Sequence, residues 1–528
     1  MNKKIQIWLP LFISIAVIAG MLVGYRLRDT QPGKNFFSFD KPRPFQEVMN
    51  LIQNKYVDDV KVGALSDSAI ITVLKKLDPH SIFIPAEDLQ GVNEDIAGNF
   101  FGIGIEFNIF SDTLHVLNVI PDGPSSKAGI QIGDKFIKVN DSIIAGKKIT
   151  TDQVRKLLRG DLGTKALVSV LRNGKLQSFT IIRGIIPVSS VDASYIVEND
   201  IGYIKLNKFS QVTYREFMKA LEDLQRQGLK KLILDLRGNG GGILDEATAI
   251  ADEFLDGDKL ITYTEGKHIP KKEYRCQREG LFEKGALVVL ADEGSASASE
   301  VLMGALQDWD RATIIGRRSF GKGLVQEQYD LSDGSALRLT VARYYTPIGR
   351  SIQRSYTNGE KAYYEEINNR FHDGEVWSAD SVKNDTTKLF STKNGKKVYG
   401  GGGITPDIFI PIDTSSFNST LTKIYIKGIT GDFAYQYYLQ NRSQLLQYKN
   451  PSEFSKSFSL ADKDWQQFKA LAAKDSIEIN NITEKDKKDL VTRIKSSLAR
   501  QIWRNEGFYE MMNKDDNTVK KAIEVLSK

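Results

Sequence analysis

Three serines alternate with small residues in Gly294-Ser295-Ala296-Ser297-Ala298-Ser299-Glu300, between the apolar run Ala286 to Ala291 and a helical segment. A small-residue turn leading from a buried strand into a helix exposes a nucleophilic hydroxyl at a sheet edge. It also leaves helical N–H groups beside that hydroxyl to hold an oxyanion. The same residues fit a plain helix start, because Ser297-x-x-Glu300 is a capping-box spacing. A nucleophilic serine needs a base. The four histidines are His80, His115, His268 and His372, and nothing in the sequence brings one to this turn. Lysine serves if burial lowers its pKa from ~10.4 toward neutrality, a shift of about three units that costs about 4 kcal/mol. Lys322 lies between Gly321 and Gly323 with Phe320, Leu324 and Val325 nearby, a setting suited to desolvation. Gln326, four residues on, shares a face with Lys322 on a strand or a helix, so its amide oxygen can orient the amine.

The lysine has a rival reading. Gly316 to Gly323, GRRSFGKG, follows the apolar run Ala312 to Ile315 and approaches the pattern of a phosphate-binding loop. Such a loop needs Ser or Thr after its lysine to ligate Mg²⁺. This chain has Gly323 there and no clear Walker-B partner, which favours a general base and no nucleotide. Other classes are excluded by composition. The chain has 528 residues, 41% apolar and 26% charged, with a net charge of +6 and no basic stripe, so nucleic acid is not an expected partner. Cys276 is alone and no HExxH occurs, so neither an internal disulfide nor a metal centre is expected.

These residues need elements to hold them. IGYIKL from Ile201 is a strand, TYREFMKALEDLQRQG a helix stopped at Gly228, and KLILDLRGNGGG a buried strand entering a glycine loop. ILDEATAIADEFL is a helix, and the strand, serine turn and helix that follow repeat the unit. Alternating strands and helices predict a mainly parallel sheet covered on both faces, with sites at the carboxyl ends of its strands. The glycine loop, the serine turn and the lysine loop all fall at such ends. Earlier, residues 45–88 read as a helical segment, closed by Asp78-Pro79-His80-Ser81. After Pro411 the chain is charged and helical. Its stripe Leu490, Ile494, Leu498 and Ile502 is expected to pack on the core or on a second copy, making residues 412–528 the place for a homo-oligomer contact.

The N-terminus predicts location. Lys3 and Lys4 (within residues 1–4) precede an uncharged stretch, 5–25, long enough to cross a hydrocarbon core of ~30 Å. The lysines favour an inside N-terminus with the rest translocated. No clean small-x-small site follows, which favours an uncleaved single-pass anchor over a signal peptide. A linker, 26–44, carries Pro32, Gly33, Pro42 and Pro44.

From about Gly98 the pattern turns to short β runs with glycine punctuation, including the hairpin signal Asn173-Gly174. Phe101-Gly102-Ile103-Gly104, Ala128-Gly129-Ile130, Gly133-Asp134 and Val139-Asn140-Asp141 resemble a PDZ domain, expected over 89–185. The resemblance implies that Phe101, Gly102, Ile103 and Gly104 form the loop that binds a C-terminal carboxylate.

SASASEV followed by SFGKGLVQ resembles the carboxyl-terminal processing (tail-specific) serine proteases. DLRGNGGGILDEA matches their glycine loop, although Gly240 stands where proline is common. Tyr345 to Gln353 and Gly401 to Asp407 match two further stretches. The resemblance covers roughly Phe45 to Pro411, with the peptidase core at 186–411. It implies Ser297 as nucleophile, Lys322 as general base, Gln326 as its orienting partner, and an oxyanion site of the Ala298 N–H with that of Gly241 or Gly242. It also implies protein substrates with free, apolar C-termini and no cofactor. The expected fold is α/β: a mainly parallel peptidase core covered by helices, with an N-terminal helical segment, a small β-rich PDZ domain and a C-terminal helical region. The expected place is the bacterial envelope, on the periplasmic side of the cytoplasmic membrane. A membrane-anchored PDZ adaptor with a silent core is the alternative, against which the intact Ser297, Lys322 and Gln326 argue.

Overall fold

Period-2 alternation along buried strands builds a sheet with two apolar faces. In the computed structural model, which describes residues 8, 13–21, 44–382, 385–413, 418–479 and 482–528, the central sheet has six strands. Their order is Val191–Glu198, Ile201–Leu206, Lys231–Asp235, Leu287–Ala291, Thr313–Gly316 and Ile408–Phe409. The first pair is antiparallel and every later pair parallel. Leu232, Leu234, Val289 and Ala291 point to one face, where helices Thr213–Arg226, Leu244–Asp252 and Ala298–Asp308 cover them. Ile233, Val288 and Leu290 point to the other, against Val519, Ala522 and Leu526 of the helix Asn517–Ser527. The C-terminal region thus completes the core.

A second, antiparallel sheet begins just after the lysine loop and carries Gln326. Its order is Ile82–Ile84, Ala336–Tyr345, Leu260–Glu265 and Lys272–Arg275, and Leu324–Asp330 pairs with Ala336–Tyr345. The expected helical segment 45–88 therefore contributes a strand here. It also contains helices Pro44–Lys55 and Val62–Leu74, with a break between them.

Residues 102–182 close a small β structure in which Ile105–Phe110, Thr113–Val119, Lys135–Val139, Lys165–Arg172 and Lys175–Ile182 pair in that order. Their core holds Val116, Phe136, Val139, Val154 and Val168. Among the described residues Ile105–Phe110 pairs only with Thr113–Val119, which leaves its other edge open. The ribbon Asn99–Gly102 with Gly184–Pro187 joins this part to the core. The expected boundaries at 88/89 and 185/186 fall inside the helix Ala86–Ala97 and inside this ribbon.

The C-terminal helices have their own core, which includes Leu490, Ile494 and Leu498, with Ile502 packed at its margin. The expected oligomer stripe is thus spent within the chain. The helix Glu484–Met512 kinks at Trp503 and Arg504, and Arg504 has φ 60° and ψ −151°. Arg504 pairs with Glu106 at 3.2 Å and donates to the Val119 carbonyl at 2.8 Å. Farther along, Asn505 donates to Asp192 at 2.8 Å and Asn513 to the Tyr195 hydroxyl at 2.8 Å. One helix thus touches both the small β domain and the edge of the central sheet.

The described residues form two units, 1–69 and 70–528. In the first, Trp8 and residues 13–21 are helical; the rest of the expected anchor 5–25, residues 1–4 and the linker up to residue 43 lie outside the described residues. Among the described residues no helix is long and apolar enough to cross a membrane.

Candidate active site

The three serines of the turn differ in what holds them. Ser295 Oγ donates to the Leu236 carbonyl at 2.9 Å, and Ser299 Oγ to the Asn239 carbonyl at 2.9 Å. Ser297 Oγ makes no capping hydrogen bond and lines a cleft of 950 Å³. Ser297 has φ 56° and ψ −115°, a conformation that non-glycine residues hold only when their surroundings over-determine it. The capping-box reading is therefore half right. Glu300 Oε2 accepts the Ser297 N–H at 2.9 Å, while the serine side chain is left for the cleft.

Glycine is required where the loop Gly238 to Gly242 passes this turn. A Cβ on Gly241 would stand 2.6 Å from the Ala296 carbonyl oxygen and 2.8 Å from Ser297 Cβ, and one on Gly242 would stand 2.0 Å from the Phe209 carbonyl oxygen. Both have positive φ. Above Gly240 there is open space, so its departure from proline meets no steric objection. Buried Asn239 clamps loop to turn. Its carbonyl accepts the Ala296 N–H at 3.0 Å, its amide donates to the Leu206 carbonyl at 3.1 Å, and its Oδ1 takes the Gly241 N–H at 2.9 Å. Gly241 is thereby committed. The N–H groups of Ala298 and Gly242 have no acceptor among the described residues, and both residues line the cleft.

Lys322 lines the same cleft, and its Nζ donates to Gln326 Oε1 at 3.1 Å. No hydrogen bond joins Lys322 Nζ to Ser297 Oγ among the described residues. Burial lowers the Lys322 pKa, with the Arg338 cation adding to the effect and Asp78 and Glu300 opposing it. Arg338 also lines the cleft, on the strand opposite, and donates to Gln328 at 3.0 Å. His80, which the sequence placed nowhere near this chemistry, lies close enough to Lys322 that burial and this cation together lower its pKa to about 4. Its imidazole contacts the Tyr363 hydroxyl at 2.9 Å, and its carbonyl accepts from Gln326 Nε2.

The loop GRRSFGKG does cradle an anion: the carboxylate of Glu300. Oε1 accepts from Gly321 N–H at 2.7 Å and from the Ser319 hydroxyl, and Oε2 from Lys322 N–H at 2.9 Å. Burial raises the pKa of this fully enclosed carboxyl, and the four donors act against that rise. One side chain thus binds the serine turn to the lysine loop, and sequence reasoning had seen it only as a cap. Tyr344 is a second tie, its hydroxyl facing the carbonyls of both Ser297 and Lys322. Apolar side chains, among them Leu244, Val301, Leu324 and Val325, make up much of the remaining wall.

Phe101 and Gly102 lie in the joining ribbon, and Ile103 and Gly104 at its exit. The Ile103 carbonyl accepts from Ser125 at 2.9 Å and that of Gly104 from Ile120 at 3.1 Å. The Ile103 and Gly104 N–H groups have no acceptor among the described residues and stand beside the open edge of Ile105–Phe110. Such a loop beside a free strand edge can take a peptide terminus. The four predicted loop residues are thus together, as are Ser297, Lys322, Gln326, Ala298 and the glycine loop.

The family model for peptidase family S41 matches residues 200–359, and that for a PDZ domain matches residues 102–182. A family of unknown function matches 420–505. A "Carboxy-terminal-processing protease" of Bartonella bacilliformis is 38% identical over 315 residues, which are 58% of this chain and 72% of the relative. A "Probable CtpA-like serine protease" of Staphylococcus epidermidis is 34% identical over 342 residues, 64% of this chain and 68% of the relative. Among solved structures, a photosystem II D1 C-terminal processing protease aligns at 26% identity and a TM-score of 0.35, over 72% of this chain and 89% of that one. With a serine turn, a glycine loop and a PDZ domain in one chain, and a relative at this identity over this span, the protein belongs to the carboxy-terminal-processing proteases, the PDZ-bearing serine peptidases of family S41.

Proposed function

We propose that the chain is a membrane-anchored endopeptidase that captures the C-terminal tail of flexible protein substrates in its PDZ groove and cuts them with a Ser297/Lys322 dyad. The observation that carries this is the contrast among the three serines: two hydroxyls are committed to backbone carbonyls, and the third, on a strained residue, opens on the cleft that holds Lys322.

The tail carboxylate meets the Gly102-Ile103-Gly104 loop, and the peptide adds to the edge of Ile105–Phe110 as a further strand. At the cleft, neutral Lys322 Nζ takes the Ser297 proton as Oγ attacks a peptide carbonyl. The N–H groups of Ala298 and Gly242 hold the oxyanion, and one such donor is worth about 3 kcal/mol of barrier. Collapse of the tetrahedral intermediate breaks the C–N bond, and the leaving amine takes the proton from Lys322. Water, deprotonated by Lys322, then releases the acyl group and restores Ser297. Gln326 keeps the amine aimed throughout. The scheme needs neither metal nor nucleotide, so it draws no work from ATP and suits chains already unfolded near the cut. Residues 5–25 hold the enzyme to the cytoplasmic membrane with the cleft on the periplasmic side, a reading based on the lysines before that stretch.

The test uses the chain without residues 1–25, as wild type, Ser297→Ala and Lys322→Ala, incubated with a loosely folded protein ending in apolar residues. Cleavage by wild type alone is expected. Cleavage by Ser297→Ala at the wild-type rate would sink the dyad. If all three bind the tail and none cuts, the adaptor reading takes its place.

A further inference from the structure

The turn Asp78-Pro79-His80-Ser81 is held by one carboxylate. Asp78 Oδ1 accepts from the N–H groups of His80 and Ser81, each at 2.8 Å, and from the Thr340 hydroxyl at 3.1 Å. Oδ2 accepts the Ser81 hydroxyl at 2.6 Å, and Ser81 Oγ in turn accepts the Thr340 N–H at 3.1 Å. The buried turn is thereby pinned to the strand Ala336–Tyr345, which pairs with the strand that carries Gln326.

The turn presents its His80 carbonyl to Gln326 Nε2. This contact decides which way the amide faces. A glutamine amide has a donor end and an acceptor end of nearly the same shape, and only the acceptor end is useful to an amine. With Nε2 committed to His80, Oε1 is left to meet Lys322 Nζ at 3.1 Å. A flipped amide would turn its own N–H₂ on the lysine.

We propose that the Asp78–Ser81 turn is a positioning element of the general base: Asp78 fixes the His80 carbonyl, the carbonyl fixes the Gln326 amide, and the amide aims Lys322 Nζ. This rests on the Ser297/Lys322 reading given above. The chain of contacts uses the His80 backbone, while its ring is engaged separately with Tyr363. The charged groups that act on Lys322 are Arg338, Asp78 and Glu300, and Lys322 in turn acts on the His80 ring.

The test is a double-mutant cycle read by kinetics. Asp78→Asn, Gln326→Ala and the double variant are assayed on the same flexible polypeptide, with tail binding and a thermal melt recorded for each. Asp78→Asn is expected to lower kcat about tenfold and leave KM unchanged, Gln326→Ala to lower kcat by about tenfold or more, and the double variant to match Gln326→Ala. Asp78→Asn is also expected to move the acid limb of the pH profile to lower pH. It removes a negative charge that favours the ammonium form, and it loosens the acceptor that stabilises that form. Losses that multiply in the double variant, or a lowered kcat with an unmoved limb, would overturn the proposal and leave the turn a structural part only. If Asp78→Asn does not fold, Ser81→Ala replaces it in the same cycle; it removes no charge, so the double-mutant coupling of kcat is then the deciding reading. Activity in Ser297→Ala would instead overturn the dyad beneath it, so the two failures are told apart.

Discussion

The hydroxyl of Tyr344 lies 2.7 Å from the carbonyl oxygen of Lys322 and 3.1 Å from that of Ser297. One hydroxyl faces both, so the crosspiece fixes the spacing of two loops that leave neighbouring strands of the central sheet. Tyr344→Phe keeps the ring and takes the hydroxyl donor from the Lys322 carbonyl, while that of Ser297 keeps the N–H groups of Glu300 and Val301. Loss of about 1–3 kcal/mol of stability is expected, with kcat reduced about tenfold and KM nearly unchanged. Denaturant unfolding and steady-state kinetics check it. Wild-type kcat would show that the spacing is set elsewhere.

Glu300 carries a heavier load, since four donors converge on it. In Glu300→Gln one oxygen becomes an N–H₂ that faces donors. About 3 kcal/mol or more of stability should be lost, together with cleavage, because both loops lose their common anchor. The melting temperature and the rate are to be measured together. A stable but inactive variant would give Glu300 a role in the chemistry itself.

The pH profile tests the lysine. Its pKa is lowered, chiefly by burial and then by Arg338, so kcat/KM should rise with pH along a limb whose midpoint lies below that of an ordinary lysine, 10.5. Removing the neighbouring cation restores some of the ammonium form. Arg338→Met should therefore shift the limb to higher pH and depress the rate most at neutral pH. A limb that moves down would mean that Arg338 acts on the substrate and not on the base.

Acid should loosen the fold at two histidines. His80 and His115 are both lowered to about 4, mainly by burial. Between pH 6.5 and 4 the unfolded chain therefore binds more protons than the folded one, and stability falls as the pH is lowered through that window. Urea midpoints at pH 7, 5.5 and 4 would show the fall, and His115→Gln should flatten part of it. His115 Nδ1 is buried with no hydrogen-bond partner among the described residues.

What could be read from the sequence was local. Ser297, Lys322, Gln326 and the glycine loop lie in short motifs at or near strand ends, and the chemistry proposed for them follows from residue type and spacing. The choice of Ser297 over Ser295 and Ser299 came from family resemblance; its physical basis lies in carbonyls of Leu236 and Asn239, far off in the chain. The oxyanion expectation was open between Gly241 and Gly242 because the commitment of Gly241 depends on how the Asn239 side chain folds back. Two parts could not be found by pattern. The His80 carbonyl meets Gln326 across 246 residues, and Asn513 meets Tyr195 across 318. Backbone carbonyls leave no mark in a sequence. An amphipathic helix such as Asn517–Ser527 does not name the sheet it covers, and for the same reason the stripe at Leu490 to Ile502 looked available to a second copy.

That last helix also sets an order in time. The strands beneath it are made early, and the side chains that cover Tyr203, Ile233 and Val288 leave the ribosome only after all the other helices have been made. Domains otherwise tend to fold as they emerge. Here the sheet that holds the serine turn keeps one apolar face bare until Val519, Ala522 and Leu526 arrive. A half-made chain therefore carries the sheet behind the cleft with one face uncovered, and that face closes only when synthesis has reached this helix.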